Sequence, residues 1–237
     1  MNNIVDKIDA INWQDISDNM HDKGYSIVPN FLSETQCRNL IESYDNKEGY
    51  RKTVEMARYR FGLGTYKYFN YPLPNIVQTL REALYPRLSP TANLWMKLLN
   101  IDRRFPDHFL EFLAECHVHN QQKPTSLILR YGKGGFNTLH QDLYGEIYFP
   151  IQAAIILSER DIEYTGGEFV LTQQTPRAQS KAIVLTPARG DMIIFTTNFR
   201  PVTGSKGYYR VNMRHGVSEL LGGERYALGI IFHDAES

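Results

Sequence analysis

Before Thr125 the apolar residues recur every third or fourth position, and after it they recur every second position in short bursts, so the two halves of the chain predict different structure. In the first half, Ile4, Ile8, Ile11 and Met20 have helical spacing. Tyr25-Ser26-Ile27-Val28 is a short strand-like run, and Ser33 with Gln36 forms a capping-box start for a helix carrying Cys37, Leu40 and Ile41. Pro74 suits the first turn of a helix bearing Val77, Leu80 and Leu84, and Phe109, Leu110, Phe112, Leu113 and Cys116 mark another. The second half predicts eight strands: Ser126–Tyr131, Thr138–Asp142, Ile151–Leu157, Glu168–Thr172, Ala182–Leu185, Met192–Thr196, Tyr208–Met213 and Tyr226–Phe232. Gly132 to Gly135, Gly166-Gly167, Pro187 to Gly190 and Gly222-Gly223 punctuate them at jelly-roll intervals. The expected class is α+β: an antiparallel double-stranded β-helix buttressed by N-terminal helices. One domain over 1–237 is expected, with a mainly helical part (1–124) and a jelly-roll core (125–237).

Charge narrows the picture little. Twenty-six basic and 26 acidic residues cancel, so no global field draws a polyanion, and contact with nucleic acid would need local patches. Met1 to Trp13 mixes Asp6, Lys7 and Asp9 into its apolar positions and has no signal pattern, and no stretch approaches a membrane span. Cys37 and Cys116 are too few for a disulfide framework and fit a reducing compartment, so a cytoplasmic location is expected.

The chemistry-bearing residues cluster in the second half. His140 and Asp142, at i and i+2 of a strand, project to one side, while Gln141 points away. With His215 they form two imidazoles and one carboxylate, a set that leaves metal positions open for a non-haem Fe(II) oxygenase, although Mn(II) and Zn(II) suit the same ligands. The competing reading is a packed histidine beside a surface carboxylate. Arg225 opens an otherwise apolar strand, where its rigid fork suits a buried carboxylate; the alternative is a strand-edge salt bridge with Glu224 or Glu219. His117 and His119 read as a surface helix end, His233-Asp234 as a frayed C-terminus, and His21 and His108 as surface residues.

Arg130-Tyr131-Gly132 leading into His140-Gln141-Asp142, Gly166-Gly167-Glu168-Phe169, Gly190-Asp191 through Phe195, His215-Gly216-Val217 and Arg225-Tyr226-Ala227 together resemble the 2-oxoglutarate- and Fe(II)-dependent oxygenase superfamily, in its prolyl-hydroxylase-like branch. Gly24-Tyr25 to Phe31-Leu32-Ser33 resembles that branch's N-terminal strand and helix. Asp142-Leu143-Tyr144-Gly145 through Phe149-Pro150-Ile151-Gln152, with Tyr68-Phe69 and Pro72-Leu73-Pro74, is similar to the bacterial Oxygenase-NA group, predicted to act on damaged DNA. The resemblance implies Fe(II) held by His140, Asp142 and His215, with O2 and 2-oxoglutarate as cosubstrates. It further implies Arg225 on the distal carboxylate and Tyr131 lining the pocket. Where prolyl hydroxylases often carry a cosubstrate-binding tyrosine, this chain has Ala154-Ile155-Ile156-Leu157.

Two basic, aromatic patches bear on the substrate. Arg51, Lys52, Arg58, Arg60 and Lys67 interleave with Tyr59, Phe61, Tyr66, Tyr68, Phe69 and Tyr71, and Arg200, Lys206, Arg210 and Arg214 flank Tyr208 and Tyr209 in a segment expected to border the active-site mouth. Cations beside rings suit single-stranded nucleic acid, with Arg58, Arg60, Lys67, Tyr68, Arg210 and Arg214 as candidate contacts. The expectation is oxidation or oxidative demethylation of a modified or damaged nucleic acid, with release of succinate and CO2. A peptide hydroxylase and a non-catalytic jelly-roll binding or sensor protein are the alternatives.

Overall fold

A computed structural model of the chain describes residues 4–236. A seven-stranded antiparallel sheet runs in the order Tyr25–Val28, Met192–Thr196, Ile151–Ile156, Arg225–Ile230, Leu127–Tyr131, Thr65–Phe69, Tyr50–Glu55. Facing it, a smaller sheet runs Ser180–Leu185, Phe169–Gln174, Gly207–Val217, Phe136–His140, Gly62–Leu63, with Phe199–Gly204 paired to Gly207–Val217. This is the double-stranded β-helix expected from the alternation.

Alternation explains how the larger sheet is sandwiched. Ile128, Ile155, Met192, Ile194, Leu228 and Ile230 project to one face and pack with the helices Trp13–Lys23, Glu34–Glu42, Asn75–Leu98 and Phe109–Val118. Ala154, Ile156, Ile193, Phe195 and Ala227 take the other face and meet Phe169, Leu171 and Leu185 of the smaller sheet. None of the described helices is long and apolar enough to cross a membrane.

Several expectations need correction. The first half is less helical than its spacing suggests, because Tyr50–Glu55 and Thr65–Phe69 form a hairpin that extends the larger sheet, with Tyr68 opposite Leu127. The strand expected over Thr138–Asp142 is Phe136–His140, so Asp142 lies in the chain beyond it. The strand carrying His215 reaches Val217. His233-Asp234 is not frayed: both residues are buried, and Asp234 accepts from Arg81 Nη2 at 2.7 Å, with neither side chain exposed. Tyr71 donates to the other Asp234 oxygen at 2.9 Å, and His117 Nε2 lies 3.3 Å from that oxygen. His21 is half-buried against Tyr208.

Candidate metal centre

The C-terminal ends of the Phe136–His140 and Gly207–Val217 strands pair so that His140 and His215 lie directly opposite each other, with ring centres 4.2 Å apart. The chain then turns Asp142 inward. Its Oδ1 lies 3.5 Å from His140 Nε2 and its Oδ2 lies 3.2 Å from His215 Nε2. These three residues form a group whose ligand atoms all lie within 4.8 Å of one another. His140 Nδ1–H donates to the Thr138 carbonyl at 2.7 Å, which leaves Nε2 as the lone-pair nitrogen facing the carboxylate.

Three further residues hold Asp142. Its backbone N–H donates to Thr197 Oγ1 at 2.9 Å, Tyr144 donates to Oδ1 at 2.6 Å, and Gln152 Nε2 donates to Oδ2 at 2.8 Å. Each carboxylate oxygen therefore takes one side-chain hydrogen bond and keeps electron pairs for a cation. Gln141, as expected, turns away, donating to the carbonyls of Asn198 and Met213.

The electrostatics follow from burial set against pairing. Burial alone would raise the Asp142 carboxyl, but the two imidazoles outweigh it and hold the group well below the usual carboxylate range. Burial likewise opposes the His140 imidazolium, yet Asp142 and the Thr138 carbonyl hold its pKa above the ordinary value. His215 is lowered, by burial first and by His140 second. Burial and the neighbouring Asp142 charge push the Tyr144 hydroxyl far up, so it remains a donor.

A pocket of about 1000 Å³, counting its open mouth, contains this cluster. Its floor is the inner face of the larger sheet, including Leu127, Leu129, Tyr131, Gln152, Ala154, Arg225 and Ala227. Arg225 stands directly opposite Tyr131 in the register. It is 2% exposed, and its guanidinium makes no hydrogen bond or ion pair among the described residues. Its neighbours are the rings of Tyr131 and Tyr164, centred 5.8 and 5.9 Å away. The alternative partners are engaged elsewhere or absent: Glu224 pairs with Arg130, and Glu219 makes no salt bridge to Arg225. Gly167 makes room for the arginine stem, because a Cβ there would lie 3.1 Å from Arg225 Cδ and 2.6 Å from Leu220 Cδ1. The Tyr131 hydroxyl is fully buried beside Asn137 without a hydrogen bond of regular geometry, and burial raises its pKa to about 12.

The basic patches are distributed differently from expectation. Phe61 and Tyr66 line the pocket; Arg58, Arg60, Lys67, Tyr68, Arg210 and Arg214 do not. Arg58 pairs with Glu55, and Lys67 donates to the Tyr44 carbonyl at 2.6 Å and lies over the Tyr44 ring. Tyr68 is buried against Tyr66 and Tyr144. Arg210 covers Phe199, and Arg214, one residue from inward-facing His215, is exposed on the opposite face of the strand. Arg200 is buried and donates to the His21 carbonyl and to Gln173, and none of the residues 200–214 lines the pocket. Sequence reasoning missed Tyr144, Thr197 and Gln152. Gln152 had a signal, as the one polar residue in the apolar run Ile151–Ile156.

Two histidines and a carboxylate on one side of a metal position, inside a double-stranded β-helix, define a 2-oxoglutarate- and Fe(II)-dependent dioxygenase. The chain is similar in fold to a Pseudomonas putida prolyl-4-hydroxylase (TM-score 0.56, 15% identity, 95% of this chain and 100% of that one). A 2OG-Fe(II) oxygenase family oxidoreductase from Burkholderia pseudomallei matches equally well (TM-score 0.56, 16% identity, 95% and 94%). The chain belongs to the Oxygenase-NA family, described as "Oxygenase, catalysing oxidative methylation of damaged DNA", whose model matches residues 64–235. An uncharacterized protein of Mycobacterium tuberculosis (strain H37Rv) is 46% identical over 167 residues, covering 70% of this chain and 72% of its own.

Proposed function

We propose that this dioxygenase oxidises a modified base in single-stranded or flipped-out nucleic acid, with Fe(II) held by His140, Asp142 and His215. The observation that carries the chemistry is Arg225: a buried guanidinium without a protein anion, in the same pocket as the His–Asp–His cluster. A buried cation of this kind calls for a carboxylate, and a dicarboxylate spanning from the metal position to Arg225 supplies one. The Tyr131 hydroxyl beside it is a spare buried donor for the same carboxylate. The residues therefore fit the iron and 2-oxoglutarate of this enzyme class.

When bound, the iron would couple decarboxylation of 2-oxoglutarate to succinate and CO2 with insertion of one oxygen atom of O2 into a substrate C–H bond. The protein's own residues supply placement. Tyr144 and Gln152 hold Asp142 in one orientation, Thr138 sets the His140 tautomer, and Leu127, Leu129, Phe169, Phe195 and Ala227 keep the pocket apolar. Were the oxidised carbon an N-methyl group, the hydroxymethyl product would lose formaldehyde, so the reaction would remove a methyl group and serve DNA repair.

The family description supports a nucleic-acid substrate, and with the metal cluster set in the β-helix pocket a base would have to be flipped out or already single-stranded to reach it. Two buried free cysteines, Cys37 and Cys116, fit a cytoplasmic setting. The test is succinate release with and without N-methylated single-stranded oligonucleotide. Stimulation by the oligonucleotide supports the reading, whereas stimulation only by peptides would replace it with protein hydroxylation.

A further inference from the structure

The segment joining the last two strands at one edge of the larger sheet, Tyr50–Glu55 and Thr65–Phe69, brings Phe61 to the pocket. Met56–Tyr59 makes one helical turn, Arg60 takes a left-handed conformation (φ 58°), and Phe61 N–H donates to the Met56 carbonyl. The Phe61 carbonyl then accepts from both Thr138 N–H and Thr138 Oγ1, each at 2.9 Å. Gly62 pairs with Asn137 so closely that a Cβ would lie 2.1 Å from the Phe136 carbonyl oxygen. Phe61 is thereby fastened beside Thr138, two residues along the strand from His140, a separation of about 6–7 Å.

The side chains on this anchored turn are left open. Phe61 lines the pocket yet is 45% exposed, and Tyr59 is 56% exposed. Their rings are stacked on each other, 5.5 Å between centres and 19° between planes, so the pair holds itself rigid and leaves an outward aromatic face beside the opening. Arg60, between them in sequence, is exposed, and its guanidinium has no ion-pair or hydrogen-bond partner among the described residues. A flat aromatic face with an unpaired cation beside it suits a base and its phosphate. An extended peptide is served less well, because the adjoining sheet edge, Gly62–Leu63, is only two residues long.

We propose that Tyr59 and Phe61 form a stacking platform for the base next to the one being oxidised, with Arg60 at the connecting phosphate. The enzyme then recognises an oligonucleotide rather than a free nucleoside. This inference rests on the nucleic-acid reading above and adds to it the surface that selects single-stranded substrate.

The test uses the full chain with Mn(II) and 2-oxoglutarate under argon. Fluorescence anisotropy would measure binding of a labelled single-stranded decamer carrying one N-methylated base, with competition by the corresponding free nucleoside. Phe61→Ala should weaken binding about 5- to 140-fold, the range of one lost base–aromatic stack, and Phe61→Trp should restore it. Arg60→Ala should reduce the salt dependence by about one phosphate contact. Tyr209→Ala, an exposed tyrosine outside the pocket, is the control for general surface effects. Tight decamer binding that is insensitive to Phe61→Ala and Tyr59→Ala, or that is lost in Tyr209→Ala instead, would overturn the platform and leave the nucleic-acid reading standing. Absence of binding to any oligonucleotide, with binding to peptides, would overturn both.

Discussion

Replacing Arg225 by Met should have opposite effects on the free protein and on its response to 2-oxoglutarate. The guanidinium is 2% exposed, with only the rings of Tyr131 and Tyr164 nearby and no anion among the described residues. A buried charge without a partner opposes folding, so an unbranched apolar side chain of similar length should leave the free protein as stable or more stable. Binding should suffer, because truncating one partner of a buried, hydrogen-bonded charge pair costs about 2–5 kcal/mol, or at least about 30-fold in affinity. At a ligand concentration about 100 times the wild-type Kd, 2-oxoglutarate with Mn(II) should stabilise the wild type by about 2.7 kcal/mol. The same concentration should stabilise the variant by under about 1 kcal/mol. For a chain of this size the melting shift should fall from roughly 5–10 °C to roughly 2–3 °C. A scanning-fluorimetry titration measures both quantities. A variant that melts several degrees lower without ligand, yet responds fully to 2-oxoglutarate, would make Arg225 a structural residue and refute the reasoning.

Gln152→Met and Tyr144→Phe each remove one hydrogen bond from Asp142, so each should weaken Mn(II) binding by about 10- to 100-fold in a calorimetric titration; unchanged affinity would leave Asp142 oriented by Thr197 alone. Asp234→Ala strands the fully buried Arg81 charge and should destabilise by about 3–5 kcal/mol in denaturant unfolding. A loss below about 1 kcal/mol would mean that the C-terminal segment is not anchored by this pair. Burial, aided by Arg81, lowers the His233 pKa to about 4. The unfolded chain protonates first as pH falls, so this stability is present above about pH 6.5 and lost between there and about pH 4, on the order of 3 kcal/mol. His233→Asn should flatten the fall in unfolding free energy over that window, and an equally steep fall would assign it to other groups.

Alternation made most of the β-helix readable. Met192–Thr196 was bounded as found, and six of the other seven strands lie within two residues of expectation, because their inward and outward faces meet different cores. The Thr65–Phe69 strand was hidden by its contents: Lys67 points at the Tyr44 carbonyl and ring, a tertiary contact that makes a cation acceptable in a covered strand. Spacing exposed the metal cluster even though the local premise was imperfect, since Asp142 turns inward from beyond the strand end. Arg225 was legible as a charge opening an apolar strand. Which basic residues reach a substrate was not, because pairing is decided across long separations: Arg81 with Asp234 over 153 residues, and Arg200 with the His21 carbonyl over 179. Charge and aromatic content describe a patch, but burial decides which members remain free; the Tyr59–Phe61 pair and Arg60 are among those that do, and Phe61 is the one of these three that also lines the pocket.

The most direct test of the central claim is succinate formation from 2-oxoglutarate by anaerobically Fe(II)-loaded protein on admission of air, comparing wild type with His215→Ala. The structure leads us to expect iron-dependent succinate in the wild type, raised by N-methylated single-stranded oligonucleotide and absent in the variant, since His215 supplies one of the three groups around the metal position. No succinate from the wild type under any condition, or equal succinate from His215→Ala, would contradict the assignment of this pocket as the oxygenase centre.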